Sequence, residues 1–215
     1  SEREASAFTS KFINSEHYEV QLDTEESIGV LEGVASNSYD GMLEEGTAPF
    51  EMLARYGKRL GKKVMLLSDG PDELLGGYSH DAEQLARNRT WGQQGDFEFI
   101  PNHQTSDPTI MNQMFEYDRT KDKKVGFGKI HPDYFPIAND MGPSQLMALS
   151  YASYSIPDYN NLRADRGFMR ASVESRSPFL SPQMVEFMVA MPGNLRFGNG
   201  TSTKWIMRQI ISDIL

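Results

Sequence analysis

The chain has 215 residues and a mass of 24.3 kDa, enough for one ordinary domain or two small ones. Its 30 acidic residues outnumber 21 basic ones, a formal net charge of −9, so phosphate backbones and anionic lipid are poor partners and neither nucleic acid nor membrane binding is expected. A hydrophobic share of 39% can build a core and excludes wholesale disorder, while the lack of cysteine removes disulfides, Cys-ligated metals and a thiol nucleophile. That lack fits a reducing compartment, and a cytoplasmic location is the expectation.

The predicted elements begin with a helix carrying Ala5, Phe8, Phe12 and Ile13. A strand follows at His17–Leu22, where Tyr18, Val20 and Leu22 alternate. Asp23-Thr24 caps the next helix, whose buried stripe is read as Ile28, Leu31 and Val34. After a Gly-rich turn at 41–46, Thr47-Ala48-Pro49 opens a helix with apolar Phe50, Leu53, Ala54 and Tyr56, ended by Gly61. Val64-Met65-Leu66-Leu67 reads as a fully buried strand, the kind found in a parallel sheet. A helix is expected from Asp72 through Leu75, Tyr78 and Leu85. Residues 91–142 are rich in turn formers and carry a basic cluster at Arg119, Lys121, Lys123 and Lys124, read as a solvated loop. From Ser144 the pattern is helical again, at 144–155, 160–173, 181–190 and 201–215. This divides the chain into an α/β unit at 1–90, a variable loop-rich insertion at 91–142 and a helical region at 143–215. No run approaches the roughly 18–20 apolar residues of a membrane span. The chain opens without methionine inside one amphipathic pattern and ends at Ile214-Leu215 inside another, as expected of a segment of a longer protein.

The strongest chemical signal is Val64–Tyr78, where a short apolar strand delivers the acidic loop Ser68-Asp69-Gly70-Pro71-Asp72-Glu73. In open α/β sheets ligands sit outside the carboxyl ends of strands. Ser68 offers a hydroxyl, the Asp69–Gly70 peptides offer backbone groups, and Asp72 and Glu73 place two carboxylates at a helix start. Those carboxylates could hold Mg²⁺ whose other ligands are phosphate oxygens. Alternatively the segment is a Ser-Asp-Gly-Pro turn with Asp72 as the helix cap. Gly76-Gly77 lets a backbone or a ligand come close. The twelve methionines read as core filler, and His17, His80, His103 and His131 lack metal-ligand spacing.

Residues 68–78 resemble the Ser-Gly-(Glu/Asp)-Gly-x-Asp-Glu-(Leu/Val)-Phe-Gly-Gly-Tyr motif of the asparagine synthetase family. Leu162–Leu180 resembles the family's Leu-x-x-Asp-Arg-x-x-Met-x-x-Ser-x-Glu-x-Arg-x-Pro-Phe-Leu-Asp, and Asn199–Arg208 its Asn-Gly-x-x-Lys-x-x-Leu-Arg. Glu16–Val20, Asp40 and Thr47–Pro49 agree more weakly. The likeness implies an α/β, ATP pyrophosphatase-like (adenine nucleotide alpha-hydrolase-like) partial parallel sheet followed by a mainly helical region. It implies an ATP-dependent amide ligase that adenylates a carboxylate, by default aspartate, and passes it to ammonia from glutamine. ATP and Mg²⁺ are the implied cofactors, and a glutaminase domain, in cis or in trans, is the implied partner; a homodimer is left open. By position, Ser68, Asp69, Gly70 and Glu73 are the implied nucleotide-contacting residues. Asp72 is the implied Mg²⁺ ligand, and Asp69 the implied catalytic carboxylate beside the incoming amine.

This chain departs from the family pattern in five places. The family's pyrophosphate loop, Ser-Gly-Gly-x-Asp-Ser, is expected upstream of Ser1, and a lysine-bearing segment beyond Leu215. No glutaminase domain or nucleophilic cysteine is present in these residues. A glycine is missing between Ser68 and Asp69, and Pro71 stiffens the shortened loop and removes an N–H. Ser181 stands where the family has Asp. The segment by itself is therefore not expected to complete adenylation. The alternatives are a non-catalytic remnant or interaction module, or a related ligase acting on another acid. Arg163, Asp165, Arg166, Glu174 and Arg176 are read as a buried ion-pair network, or else as substrate-contacting residues.

Overall fold

Pairing of Glu174 N–H with Lys63 O (2.9 Å) and of Leu67 N–H with Arg176 O (2.8 Å) joins β1 (Val64–Leu66) to β2 (Glu174–Arg176) as a parallel two-stranded sheet. The computed structural model describes residues 2–21, 23–37, 46–82, 141–198 and 202–214. Residues 91–140 of the predicted loop-rich insertion lie outside this range, with their basic cluster, His103 and His131. The chain divides into two compact units, Ser1–Met65 with Arg163–Ser175, and Leu66–Leu162 with Arg176–Leu215.

The first unit holds α1 (Glu2–Phe12), α2 (Thr24–Asn37), α3 (Thr47–Arg59) and, from Arg163 on, most of α6 (Leu162–Arg170). α1 stops where Asn14 turns left-handed at φ 53°, with Asn14 N–H on Lys11 O and Ser15 N–H on Ser10 O. α2 starts as predicted: Asp23 Oδ1 accepts the N–H groups of Glu25 (2.9 Å) and Glu26 (3.1 Å). Its buried positions are Val30 and Val34, packed with Ala48 and Met52 of α3, whereas Ile28 is exposed. Leu31 and Val34 of the expected stripe do pack in this cluster, and Val30 takes the place of Ile28. α3 also runs as predicted and closes in a Schellman turn, with Lys62 N–H on Gly57 O and Gly61 N–H on Lys58 O.

The predicted strand at His17–Leu22 does not form among the described residues, and Leu22 is not one of them. Val20 instead packs on the α2–α3 cluster, and the Tyr18 ring lies 5.8 Å from that of Tyr56. Alternation encourages an extended chain, but a strand exists only where a neighbour takes its backbone hydrogen bonds.

A buried carboxylate fastens this unit. Glu51 is 1% exposed; its Oε1 accepts Arg55 Nη2 at 2.6 Å and its Oε2 accepts Arg170 Nε at 2.6 Å. Arg170 Nη1 donates to Gly33 O at 3.1 Å, so one guanidinium ties α2, α3 and α6. Arg163 lies 5.3 Å over the Phe50 ring, which in turn packs on Phe168. An ion-pair network was expected among Arg163, Asp165, Arg166, Glu174 and Arg176. Of these, Asp165 is exposed, and α6 is tied to α3 through Arg170 and Glu51.

The second unit holds α4 (Pro71–Leu75), α5 (Pro143–Ser150), a π-helical stretch (Tyr151–Asn161), a 3₁₀ turn (Pro178–Leu180), α7 (Pro182–Ala190), α8 (Gly193–Phe197) and α9 (Trp205–Ile214). The stretch predicted as two helices over 144–173 has no non-helical gap between Pro143 and Arg170. Pro157, which lacks an N–H, is accommodated by the wider π register. Leu74, Leu75, Ala148, Ile156, Met188 and Met191 form the core. The strand expectations change here as well: Leu66 is 71% exposed, so β1 is not the fully buried strand expected, and Glu174–Arg176 is a strand inside a region read as helical. The helix expected from Asp72 to Leu85 ends at Leu75, because Gly76 takes the left-handed conformation at φ 68°. Helical geometry returns at 79–82, and residues beyond 82 lie outside the described range.

Arg196 is wholly buried and donates to the carbonyls of Leu74, Met188, Val189 (2.9 Å) and Met191 (3.1 Å). Burial lowers its pKa to about 10, which leaves the guanidinium charged at neutral pH. Its countercharge is the cluster of carbonyl dipoles at the end of α7. No helix among the described residues is long and apolar enough to cross a membrane.

Candidate functional site

The carboxyl end of β1 leads directly into the acidic loop, all of it within the second unit. Ser68 is exposed and Asp69 half-buried. Gly70 has φ 110°, and a Cβ there would lie 2.5 Å from Leu180 Cδ2, so both backbone and space demand glycine. Gly70, not Asp72, occupies the N-cap position of α4, with Pro71 at the first helical position. The turn reading with Asp72 as cap is thereby corrected: α4 has no side-chain cap, and the Asp72 carboxylate is directed elsewhere.

Asp72 Oδ1 accepts the Lys204 ammonium at 2.7 Å, with both side chains partly exposed. The carboxylate lies over the backbone of Gly77, where any Cβ would collide with Oδ1, and Gly77 N–H donates to Asp72 O at 2.7 Å. The second glycine of the Gly-Gly pair is thus required by close approach. Glu73 sits on the other side of α4 and is 2% exposed. Its Oε1 accepts both Tyr78 Oη–H (2.7 Å) and Asn160 Nδ2–H (2.6 Å). The two neighbouring carboxylates therefore have different surroundings: Asp72 faces partly outward with a cation, and Glu73 is an internal acceptor.

Behind Glu73 lies a second buried acid. Asp81 is 0% exposed, and its Oδ1 accepts Tyr151 Oη–H at 3.0 Å. His80 Nε2 lies 3.2 Å from the same oxygen. Burial raises the Asp81 pKa to about 7; the Tyr151 hydrogen bond opposes this, and the Glu73 and Asp72 charges add to it. The Tyr151 hydroxyl is pushed well above its ordinary value by burial first and by Asp81 second.

The structure thus brings Ser68, Asp69, Gly70, Asp72 and Glu73 into one loop and helix turn, with Glu73 facing inward. The sequence pattern alone assigns no role to Lys204, Asn160, Tyr78, Asp81 or Arg196. Lys204 had a visible signal as the lysine of the Asn-Gly-x-x-Lys stretch. Tyr78 had one as the tyrosine of the Gly-Gly-Tyr motif, whereas Asn160 and Asp81 had none, because each is defined by a partner far away in sequence. No group of three or more His, Asp or Glu side chains converges as a metal cage among the described residues. Asp72 offers one partly exposed carboxylate, which fits a Mg²⁺ ion completed by phosphate oxygens and water rather than an all-protein metal centre.

The fold and loop define the class: an α/β protein whose candidate ligand site lies at the carboxyl end of a parallel strand. The family model described as asparagine synthase matches residues 1–215, and the chain belongs to that family. It is 32% identical over 69 residues to asparagine synthetase (glutamine-hydrolyzing) 2 of Arabidopsis thaliana, a match covering 31% of this chain and 12% of that protein. It is 32% identical over 82 residues to asparagine synthetase (glutamine-hydrolyzing) 1 of Saccharomyces cerevisiae, covering 37% of this chain and 14% of that protein. The matched part is thus a small fraction of either relative's length.

Proposed function

We propose that these residues form part of the synthetase portion of an ATP-dependent amide ligase. In this reading a carboxylate, aspartate by default, is adenylated with release of pyrophosphate, and ammonia drawn from glutamine then displaces AMP. Family membership together with the Ser68–Gly77 loop supports it. The single observation that carries it is the partly exposed Asp72 carboxylate, oriented by Lys204 at the end of β1.

Ser68 and the Asp69–Gly70 backbone line the approach of the ribose and α-phosphate. Asp69, half-buried beside them, orients the incoming nitrogen and accepts its proton. Asp72 holds Mg²⁺ together with phosphate oxygens; when bound, the ion offsets charge that builds on the departing pyrophosphate. Glu73 contributes to nucleotide binding from beneath, because its hydrogen bonds to Tyr78 and Asn160 fix the turn that presents Asp72. The missing glycine after Ser68 narrows the ribose side of the loop, and Pro71 makes that side rigid.

The test is aspartate-dependent exchange of labelled pyrophosphate into ATP, measured in the natural protein that carries this segment. Asp72→Asn is expected to reduce exchange by at least about a hundredfold, with the fold retained. Exchange at the wild-type rate would remove Asp72 from the site.

A further inference from the structure

Lys204 is held in place far more firmly than its partial exposure requires. It adopts φ 48°, a left-handed conformation that disfavours a side chain with Cβ. Its N–H donates to Gly76 O at 3.2 Å, and its carbonyl accepts Arg208 N–H at 3.1 Å. Backbone and ammonium therefore grip the same Gly76–Gly77 turn, the N–H at Gly76 and Nζ through the Asp72 carboxylate lying on Gly77. Strain at Lys204 is tolerated where it places one positive charge on the Asp72 carboxylate.

An ammonium and a divalent cation cannot share that oxygen without repulsion. A lysine, unlike an arginine, is a compact point charge on a flexible four-carbon stem, able to swing several ångströms while its backbone stays fixed. The backbone hydrogen bond to Gly76 does not depend on where Nζ points.

We propose that Lys204 is a positioning residue that competes with a divalent cation for Asp72, and that its ammonium passes to the phosphate when the cation arrives together with a polyphosphate. Free cation is thereby disfavoured at Asp72, and the cation–polyphosphate complex is selected. The proposal rests on the reading of Asp72 as the metal carboxylate given above.

The probe is Mn²⁺, followed by its free electron paramagnetic resonance signal, with the natural protein that carries this segment. Binding is measured with Mn²⁺ alone and with Mn²⁺ plus inorganic pyrophosphate. Lys204→Gln is expected to bind Mn²⁺ alone about two- to fivefold more tightly, since a partly exposed ion pair no longer competes. The same variant is expected to bind Mn²⁺–pyrophosphate at least about fivefold more weakly, because a charge-assisted hydrogen bond to phosphate is lost. Lys204→Arg, which keeps the charge, should stay near wild type with Mn²⁺ alone. Affinities that both move in one direction in Lys204→Gln would mark a merely structural lysine and overturn the proposal. Binding that falls in Asp72→Asn but ignores Lys204 overturns the proposal and leaves the site reading standing. Binding indifferent to Asp72→Asn overturns the site reading and the proposal with it. If Lys204→Gln does not fold, the side-chain ammonium resonance of Lys204 in the wild-type chain carries the test. It should move on addition of Mg²⁺ and pyrophosphate, and an unmoved resonance at saturation overturns the proposal.

Discussion

Asp81→Asn isolates the energetic consequence of a carboxyl buried beside the candidate site. The substitution keeps the oxygen that accepts Tyr151 Oη–H and removes only the ability to ionise. In the folded chain Asp81 titrates at about 7 rather than 3.8. The protonated form is thus favoured by the fold, and its contribution to stability is fully present below about pH 4. As pH rises the unfolded chain ionises first, so stability is lost progressively until about pH 7 and levels off above it. At 1.36 kcal/mol per pH unit, the interval from 3.8 to about 7 corresponds to roughly 4 kcal/mol. Chemical denaturation of wild type and Asp81→Asn from pH 4 to pH 8 gives the difference directly, with pH effects common to both cancelling. Wild type should lose about that much relative to the variant across the window, so that Asp81→Asn is the more stable protein at pH 8. Repeating the pair in a His80→Gln background separates the imidazole, whose Nε2 is 3.2 Å from the same oxygen. Parallel stability curves for wild type and Asp81→Asn would refute the reasoning, as would an Asp81 carboxyl carbon that titrates near pH 4 by nuclear magnetic resonance.

Three further predictions concern the scaffold. Glu51→Ala leaves Arg170 and Arg55 without their shared acid, and the first unit should lose about 2–3 kcal/mol in denaturant midpoint analysis, the partial exposure of both arginines limiting the loss. Arg196→Met strips donors from four carbonyls in the second unit and should cost at least about 3 kcal/mol; a loss below about 1 kcal/mol would show that water replaces the guanidinium there. Gly77→Ala puts a methyl where Asp72 Oδ1 lies and should cost about 1–3 kcal/mol. Together with that loss, it should weaken Mn²⁺–pyrophosphate binding as Asp72→Asn does, and unchanged binding would show that the carboxylate reaches its place by another route.

What the sequence determined by itself about this protein is local. Asp23 before α2 and Gly61 after α3 are capping signals whose partners lie within a turn, and both appear in the structure where they were read; Thr47-Ala48-Pro49 does open α3, with Gly46 at the N-cap position. The acidic loop after β1 was legible for the same reason: a short apolar run, then Gly, Pro and adjacent carboxylates, also carries the family likeness. Tertiary structure decided everything whose partner is distant. Asp72 finds Lys204 at a separation of 132 residues, Glu51 finds Arg170 at 119, and Glu73 finds Asn160 at 87. Periodicity at Tyr18–Val20 signalled an extended chain but contained no information on whether a neighbouring strand would pair with it. Glu174–Arg176 lacked a strand-like pattern, yet became a strand because Lys63–Leu67 took up its backbone groups. Hydrogen-bond satisfaction of buried polar groups is a property of the assembled chain, so the sequence could name the carboxylates of the site while only the fold could turn one inward and give the other a cation.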